Sequence, residues 1–150
     1  MKIVIQRVSK SSVSVNKKTI AEINQGLTIL LGIELSDNQE DIEYLCHKIT
    51  NLRIFDDEAG IMNKSVTEIN GDIIVISQFT LHASTKKGNR PSYIKAAPPE
   101  YAKQLYEKFC ITLENKLNKK IQTGNFGAHM SVEIINDGPV TILIDSKLKE

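Results

Sequence analysis

KIVIQRVSKSSVSV, residues 2–15, is rich in β-branched side chains and reads as one long extended strand. Its apolar phase drifts along the way. Ile3 and Ile5 give way to Val4 and Val8, and these to Val13 and Val15. Strand side chains alternate between faces, so a drifting phase predicts a bulge or a bend. The turn Asn16–Lys17–Lys18 leads into a second strand, Thr19 to Ile23. After Gly26, the unbroken apolar run Leu27–Ile33 predicts a strand buried on both faces.

Outward from these strands the period changes. Ser36–Asp37 offers an N-cap, with Gln39 or Glu40 placed for a capping box. Ile42, Leu45, Ile49 and Leu52 then recur at helical spacing, with acids in the first turn where the helix dipole favours them. Asp56–Gly60 reads as a loop. Asn70–Gly71 is a turn before a strand from Ile73 to Leu81. Residues 82–97 form a polar, basic loop. Pro98–Pro99 opens a second helix, whose core stripe is Tyr101, Leu105, Phe109, Leu113 and Leu117. Gly124–Gly127 is a loop. Ser131–Ile135 and Val140–Ile144 read as strands joined by Asn136–Asp137–Gly138–Pro139. Together these predict an α+β fold in which a curled, largely antiparallel sheet or barrel packs with two main helices. The expected organisation is a single domain over residues 1–150.

Composition fits that reading. The 150 residues are 41% hydrophobic and 25% charged, with a formal charge of +1, which excludes a disordered chain. No apolar run approaches the roughly 20 residues of a membrane helix. Lys2 and Arg7 bracket only the apolar run Ile3–Ile5, which is no signal peptide. Cys46 and Cys110 lie inside helical patterns and read as free thiols, so a cytoplasmic protein is expected. The neutral total hides a segregation. Residues 1–21, 73–99 and 115–132 contain no acid, whereas 34–58 is acid-rich. An isolated lysine is ordinarily just solvated; three acid-free segments meeting on one face would attract a polyanion.

Several chemistries are missing. His47, His82 and His129 stand at no metal-ligand spacing with other His, Cys or Glu, so no metal is expected, and no cofactor fingerprint occurs. There is no Gly-x-Ser-x-Gly nucleophile turn. Three oddities remain. Read as a strand, residues 73–81 turn polar toward Gln78 and Thr80, just before the basic loop. Asp137–Gly138–Pro139 presents backbone carbonyls with little side chain, in what is ordinarily a trans turn. Phe126, flanked by Gly124 and Gly127, either stacks on a base or folds back onto the core.

In this order, these elements resemble the D-aminoacyl-tRNA deacylase family, over essentially the whole chain. The resemblance rests on Ile5–Gln6–Arg7–Val8, Asn51–Leu52–Arg53–Ile54–Phe55, Ser77–Gln78–Phe79–Thr80–Leu81, Ala96–Ala97–Pro98–Pro99, Thr123–Gly124–Asn125–Phe126–Gly127–Ala128 and Asn136–Asp137–Gly138–Pro139–Val140–Thr141. It implies a homodimer acting on tRNA, with a cis Gly138–Pro139 bond whose turn enters the partner's active site. It implies a pocket of Ser77, Gln78, Phe79 and Thr80, with Phe126 near the terminal adenine and Arg7 holding the turn. His82 stands where relatives often carry Tyr, and no catalytic role is assigned to it. Lys86, Lys87 and Arg90 are the expected RNA contacts.

Two mechanisms fit these residues. Thr80 is a nucleophile, which requires a base beside it. Alternatively the protein orients the ester and offers backbone N–H groups near Phe79 and Thr80, while the ribose 2′-OH helps to activate water. The lack of an activating group in the sequence favours the second. Rigid carbonyls at Gly138 and Pro139 would exclude L side chains by collision, and would admit glycyl-tRNA as well as D-aminoacyl-tRNA. The rival readings are a non-catalytic tRNA-binding module and a small-molecule-binding regulatory protein.

Overall fold

The computed structural model describes residues 1–149. Its elements are β1 (Lys2–Val15), β2 (Lys18–Ile23), β3 (Gly26–Gly32), α1 (Gln39–Asn51), β4 (Arg53–Asp56), β5 (Met62–Ser65), β6 (Asp72–Ser77), a 3-10 turn (Phe79–His82), α2 (Pro99–Leu117), β7 (Gln122–Thr123) and β8 (Ser131–Asp145). The main sheet runs β2-β1-β3-β6-β7, and β8 pairs along β1. The sheet is curled and mixed: β1 pairs antiparallel with β2, β3 and β8, while β3–β6 and β6–β7 are parallel.

Alternation along the central strands builds two cores. Ile3, Ile5, Leu27, Ile29, Leu31, Ile73 and Val75 face the helices and meet Ile42, Leu45, Ile49, Leu105 and Phe109. Ile74 and Ile76 face the other way and join Val8, Val13, Ala21 and Ile23 inside the curl. This explains why β3 and β6 read as continuous apolar runs. The drifting phase of β1 corresponds to register shifts against β8 between Gln6 and Val8 and between Val8 and Lys10, and against β2 at Val13/Ser14.

Four local expectations are corrected. The strand after Asn70–Gly71 stops at Ser77. The Gln78 amide makes the last ladder bond, to the Leu31 carbonyl at 2.8 Å, and β3 then ends at Gly32, leaving residues 79–81 nothing to pair with. Residues 131–135 and 140–144 are not two strands joined by a hairpin turn. They belong to one strand that follows β1 throughout, with Val8 opposite Asn136 and Gln6 opposite Thr141, so that residues 137–140 bow outward over the single residue Arg7. The N-cap of α1 is Asn38, and its capping-box partner is Asp41. Asp37 is drawn away instead. Its carboxylate pairs with the buried Met1 amine and accepts from the Glu34 amide at 2.8 Å. Finally, the expected loop Asp56–Gly60 is the tip of a small hairpin, β4–β5, which forms a sheet of its own.

Candidate active site

Ser77 closes β6, and the chain turns at Gln78 into the 3-10 segment. The Leu81 amide bonds back to the Gln78 carbonyl at 3.2 Å and the Ala83 amide to the Thr80 carbonyl at 3.0 Å. The amides of Phe79 and Thr80, at the head of this turn, donate to no protein group among the described residues. Two adjacent free N–H groups are what an oxyanion needs. The Thr80 hydroxyl accepts from the Gln78 side-chain amide, and no titratable group bonds to it. The Phe79 ring is 57% exposed and stands edge-on to Tyr93, with centroids 5.1 Å apart. Tyr93 was not anticipated. Its only sequence signal is an aromatic residue inside an acid-free loop.

His82 ends the turn, 3% exposed, with Nδ1 3.9 Å from Glu34 Oε2. Lys86, Lys87 and Arg90 are exposed at the tip of a loop that Ser84 and Ser92 close with reciprocal backbone bonds of 2.8 and 2.9 Å. Phe126 is half-buried, and its ring leans on Tyr106 with centroids 5.5 Å apart. Tyr106 is anchored in turn to the Val75 carbonyl.

A second group gathers around the bowed segment of β8. The Gly138–Pro139 bond is cis, and Gly138 has φ +140°. A Cβ there would lie 2.7 Å from the Val140 nitrogen, so the position requires glycine. Arg7, 7% exposed, donates from Nε to the Asp137 carbonyl at 2.9 Å and from Nη1 to the Ile54 carbonyl at 2.7 Å.

The structure brings Ser77–Thr80 together and Arg7 with Gly138–Pro139 together, but it keeps the two groups apart. Register gives the separation. Arg7 lies opposite Leu27, and Leu27 opposite Ile73, whereas the row through Ser77 passes through Leu31 and Ile3. Followed along the curled sheet, the turn is therefore three strands across and about five residues along from Gln78. Among the described residues no hydrogen bond joins residues 137–140 to 77–82.

The described residues hold no metal-binding cluster. The cysteines are poor nucleophiles. Burial raises the Cys46 thiol far above its ordinary range and, despite a hydrogen bond with Tyr106, pushes Cys110 up to about 12. No helix among the described residues is long and apolar enough to cross a membrane.

A curled mixed sheet with a polar strand end, free amides and no metal cluster among the described residues defines a class of site suited to stabilising an oxyanion. The chain is a member of the family described as D-Tyr-tRNA(Tyr) deacylase, whose model matches residues 4–145. It is 65% identical to a D-aminoacyl-tRNA deacylase of Flavobacterium psychrophilum and 63% identical to one of Bacteroides thetaiotaomicron, each over 150 residues and 100% of both chains. Among solved structures it superposes on the c-Myc DNA Unwinding Element Binding Protein with a TM-score of 0.92, at 44% identity, covering 97% of this chain and 98% of that one. A probable eukaryotic D-amino acid tRNA deacylase shares the fold, with a TM-score of 0.82 at 14% identity, covering 95% of this chain and 97% of that one.

Proposed function

We propose that the chain is a cytoplasmic editing hydrolase that cleaves the ester of D-aminoacyl-tRNA, and of glycyl-tRNA, as a homodimer. The observation that supports the reading is that the Gly138–Pro139 turn and the Ser77–Thr80 strand end lie three strands apart in the sheet order and share no hydrogen bond among the described residues. On this reading the turn that screens the substrate is the partner subunit's. The long β8 supports this arrangement. It pairs with β1 on one side only, and it exposes Ile135 and Leu143, an edge suited to a second copy.

In this mechanism Lys86, Lys87 and Arg90 hold the RNA backbone, and Phe79 and Phe126 offer rings to the terminal bases. The ester carbonyl sits against the amides of Phe79 and Thr80, which take up the developing negative charge. Water attacks with help from the ribose 2′-OH, because Thr80 has no base beside it. The partner's turn presents carbonyls where an L side chain would project. Glycine has nothing to collide and is cleaved.

Turnover of D-aminoacyl-tRNA by the purified protein tests the activity; binding without turnover would leave a tRNA-binding module. Complementation tests the geometry. Thr80→Trp fills the strand end and Gly138→Phe obstructs the turn, so each alone should be inactive. Mixed dimers should recover roughly a quarter of wild-type activity, from the one intact site in each heterodimer. No recovery from demonstrated heterodimers would mean that turn and strand end act within one chain.

A further inference from the structure

Arg7 carries a charge that is almost wholly withdrawn from water, and such a charge needs partners for its donors. On the turn side, Nε meets the Asp137 carbonyl at 2.9 Å and its carboxylate at 3.6 Å. Nη2 faces Gly138, where a Cβ would stand 3.4 Å away. On the opposite side, Nη1 meets the Ile54 carbonyl at 2.7 Å and Asp56 Oδ1 at 3.3 Å. Both of these partners come from β4, so the separate β4–β5 hairpin grips one edge of a guanidinium whose other edge holds the turn.

We infer that Asp56 is a positioning residue for stereochemical selection, acting through Arg7 on the carbonyls of Gly138 and Pro139. The inference rests on reading that turn as the chiral filter. A guanidinium is a rigid planar fork, so fixing Nη1 fixes the direction of Nε and Nη2. The Ile54 carbonyl is neutral and cannot balance the charge. Asp56 supplies a counter-charge on the hairpin side, against Asp137 on the turn side. Without Asp56 the cation is pulled toward the Asp137 carboxylate, and the turn loses its fixed seat. The Asp56 side chain is 52% exposed, so removing it opens no cavity in the core.

The test is the ratio of hydrolysis rates on matched L- and D-aminoacyl-tRNA for wild type, Asp56→Ala, Asp56→Asn and Pro139→Ala, with thermal melting alongside. In Asp56→Ala the L/D ratio should rise about two- to fivefold, the scale of a partly exposed ion pair. Asp56→Asn keeps an acceptor oxygen without the charge and should fall between Asp56→Ala and wild type. A general loss of folding would lower both rates together and leave the ratio alone, so an unchanged ratio with weakened activity overturns the inference. Pro139→Ala separates the two readings, because it frees a φ angle that the pyrrolidine ring fixes in the turn itself. A raised ratio in Pro139→Ala with a wild-type ratio in Asp56→Ala overturns the role of Asp56 and leaves the turn as the filter. Wild-type ratios in both variants overturn both.

Discussion

The Tyr106 hydroxyl donates to the Val75 carbonyl at 2.8 Å, tying the middle of α2 to β6 just before Ser77. The same carbonyl accepts from the Gly124 amide at 3.1 Å, and Phe126 leans on the Tyr106 ring. One residue thus joins the strand that ends in the candidate pocket to the loop that carries its second aromatic ring. Tyr106→Phe keeps the ring packing and removes the bond. Because Val75 retains one donor, the loss should be about 1 kcal/mol. That is a fall in Tm of roughly 2–4 °C for a chain of this size, read by calorimetry.

Acid should loosen the packing of the chain's two ends. Burial alone would raise the Asp41 carboxyl. Hydrogen bonds from Lys147 Nζ at 2.7 Å, Ser146 Oγ at 2.6 Å and the Asn38 amide at 2.9 Å, aided by the charge on the Met1 amine, outweigh it and hold the group below its ordinary value. A carboxyl lowered in the folded state stabilises above its unfolded value, and that contribution is lost as pH falls through the folded one. The Tm gap between wild type and Asp41→Asn should therefore be widest near neutrality and shrink below the usual aspartate range. A gap that stays constant from pH 7 down to pH 2 would contradict this.

Thr80→Ala should keep hydrolysis of D-aminoacyl-tRNA within about tenfold of wild type, since the hydroxyl accepts only from Gln78. Loss of a nucleophile costs on the order of 10⁴ or more. Single-turnover rates on saturating substrate separate the two, and a loss of that size in a folded protein would make Thr80 the attacking group.

Charge reversal at Lys86, Lys87 and Arg90 should weaken tRNA binding and flatten its dependence on salt. Each phosphate contact removed lowers the log–log slope by roughly 0.7–0.9. Titrations across a range of ionic strength would show it; an unchanged slope would place this loop away from the RNA.

The sequence made the architecture legible where burial and periodicity coincide. The α1 stripe of Ile42, Leu45 and Ile49 and the two-sided run of β3 behave as their patterns require. It misled where a tertiary partner decides. Asp37 reads as a cap by local rules, yet the Met1 amine claims its carboxylate from far along the chain. Gln78 and Thr80 alternate like strand residues, but the Gln78 amide makes the last bond to β3 and the strand ends before it can pair Thr80. The bow at 137–140 looks like a hairpin turn because the flanking apolar residues give no sign that both belong to one partner strand. Of the candidate pocket, the residue types were visible in the motifs. The Tyr93 edge against Phe79 and the Asp56 contact with Arg7 were not, because both join segments whose spacing carries no periodic signal.

A strand has a frame, much as a coding message does, and β8 changes frame at its bow. Ile142 and Ile144 pack toward the helices, whereas Val132 and Ile134 pack into the curl on the opposite face, although all four numbers are even. The half-step between them comes from the residues that bow out over Arg7. Excising one residue there would turn Val132 and Ile134 away from the second core that they help to cover. Apart from Gly138, the composition of that segment is more open to change than its length. Any lineage or library that remodels this segment does so most safely by substitution, because a single-residue deletion shifts the frame of the strand beyond it.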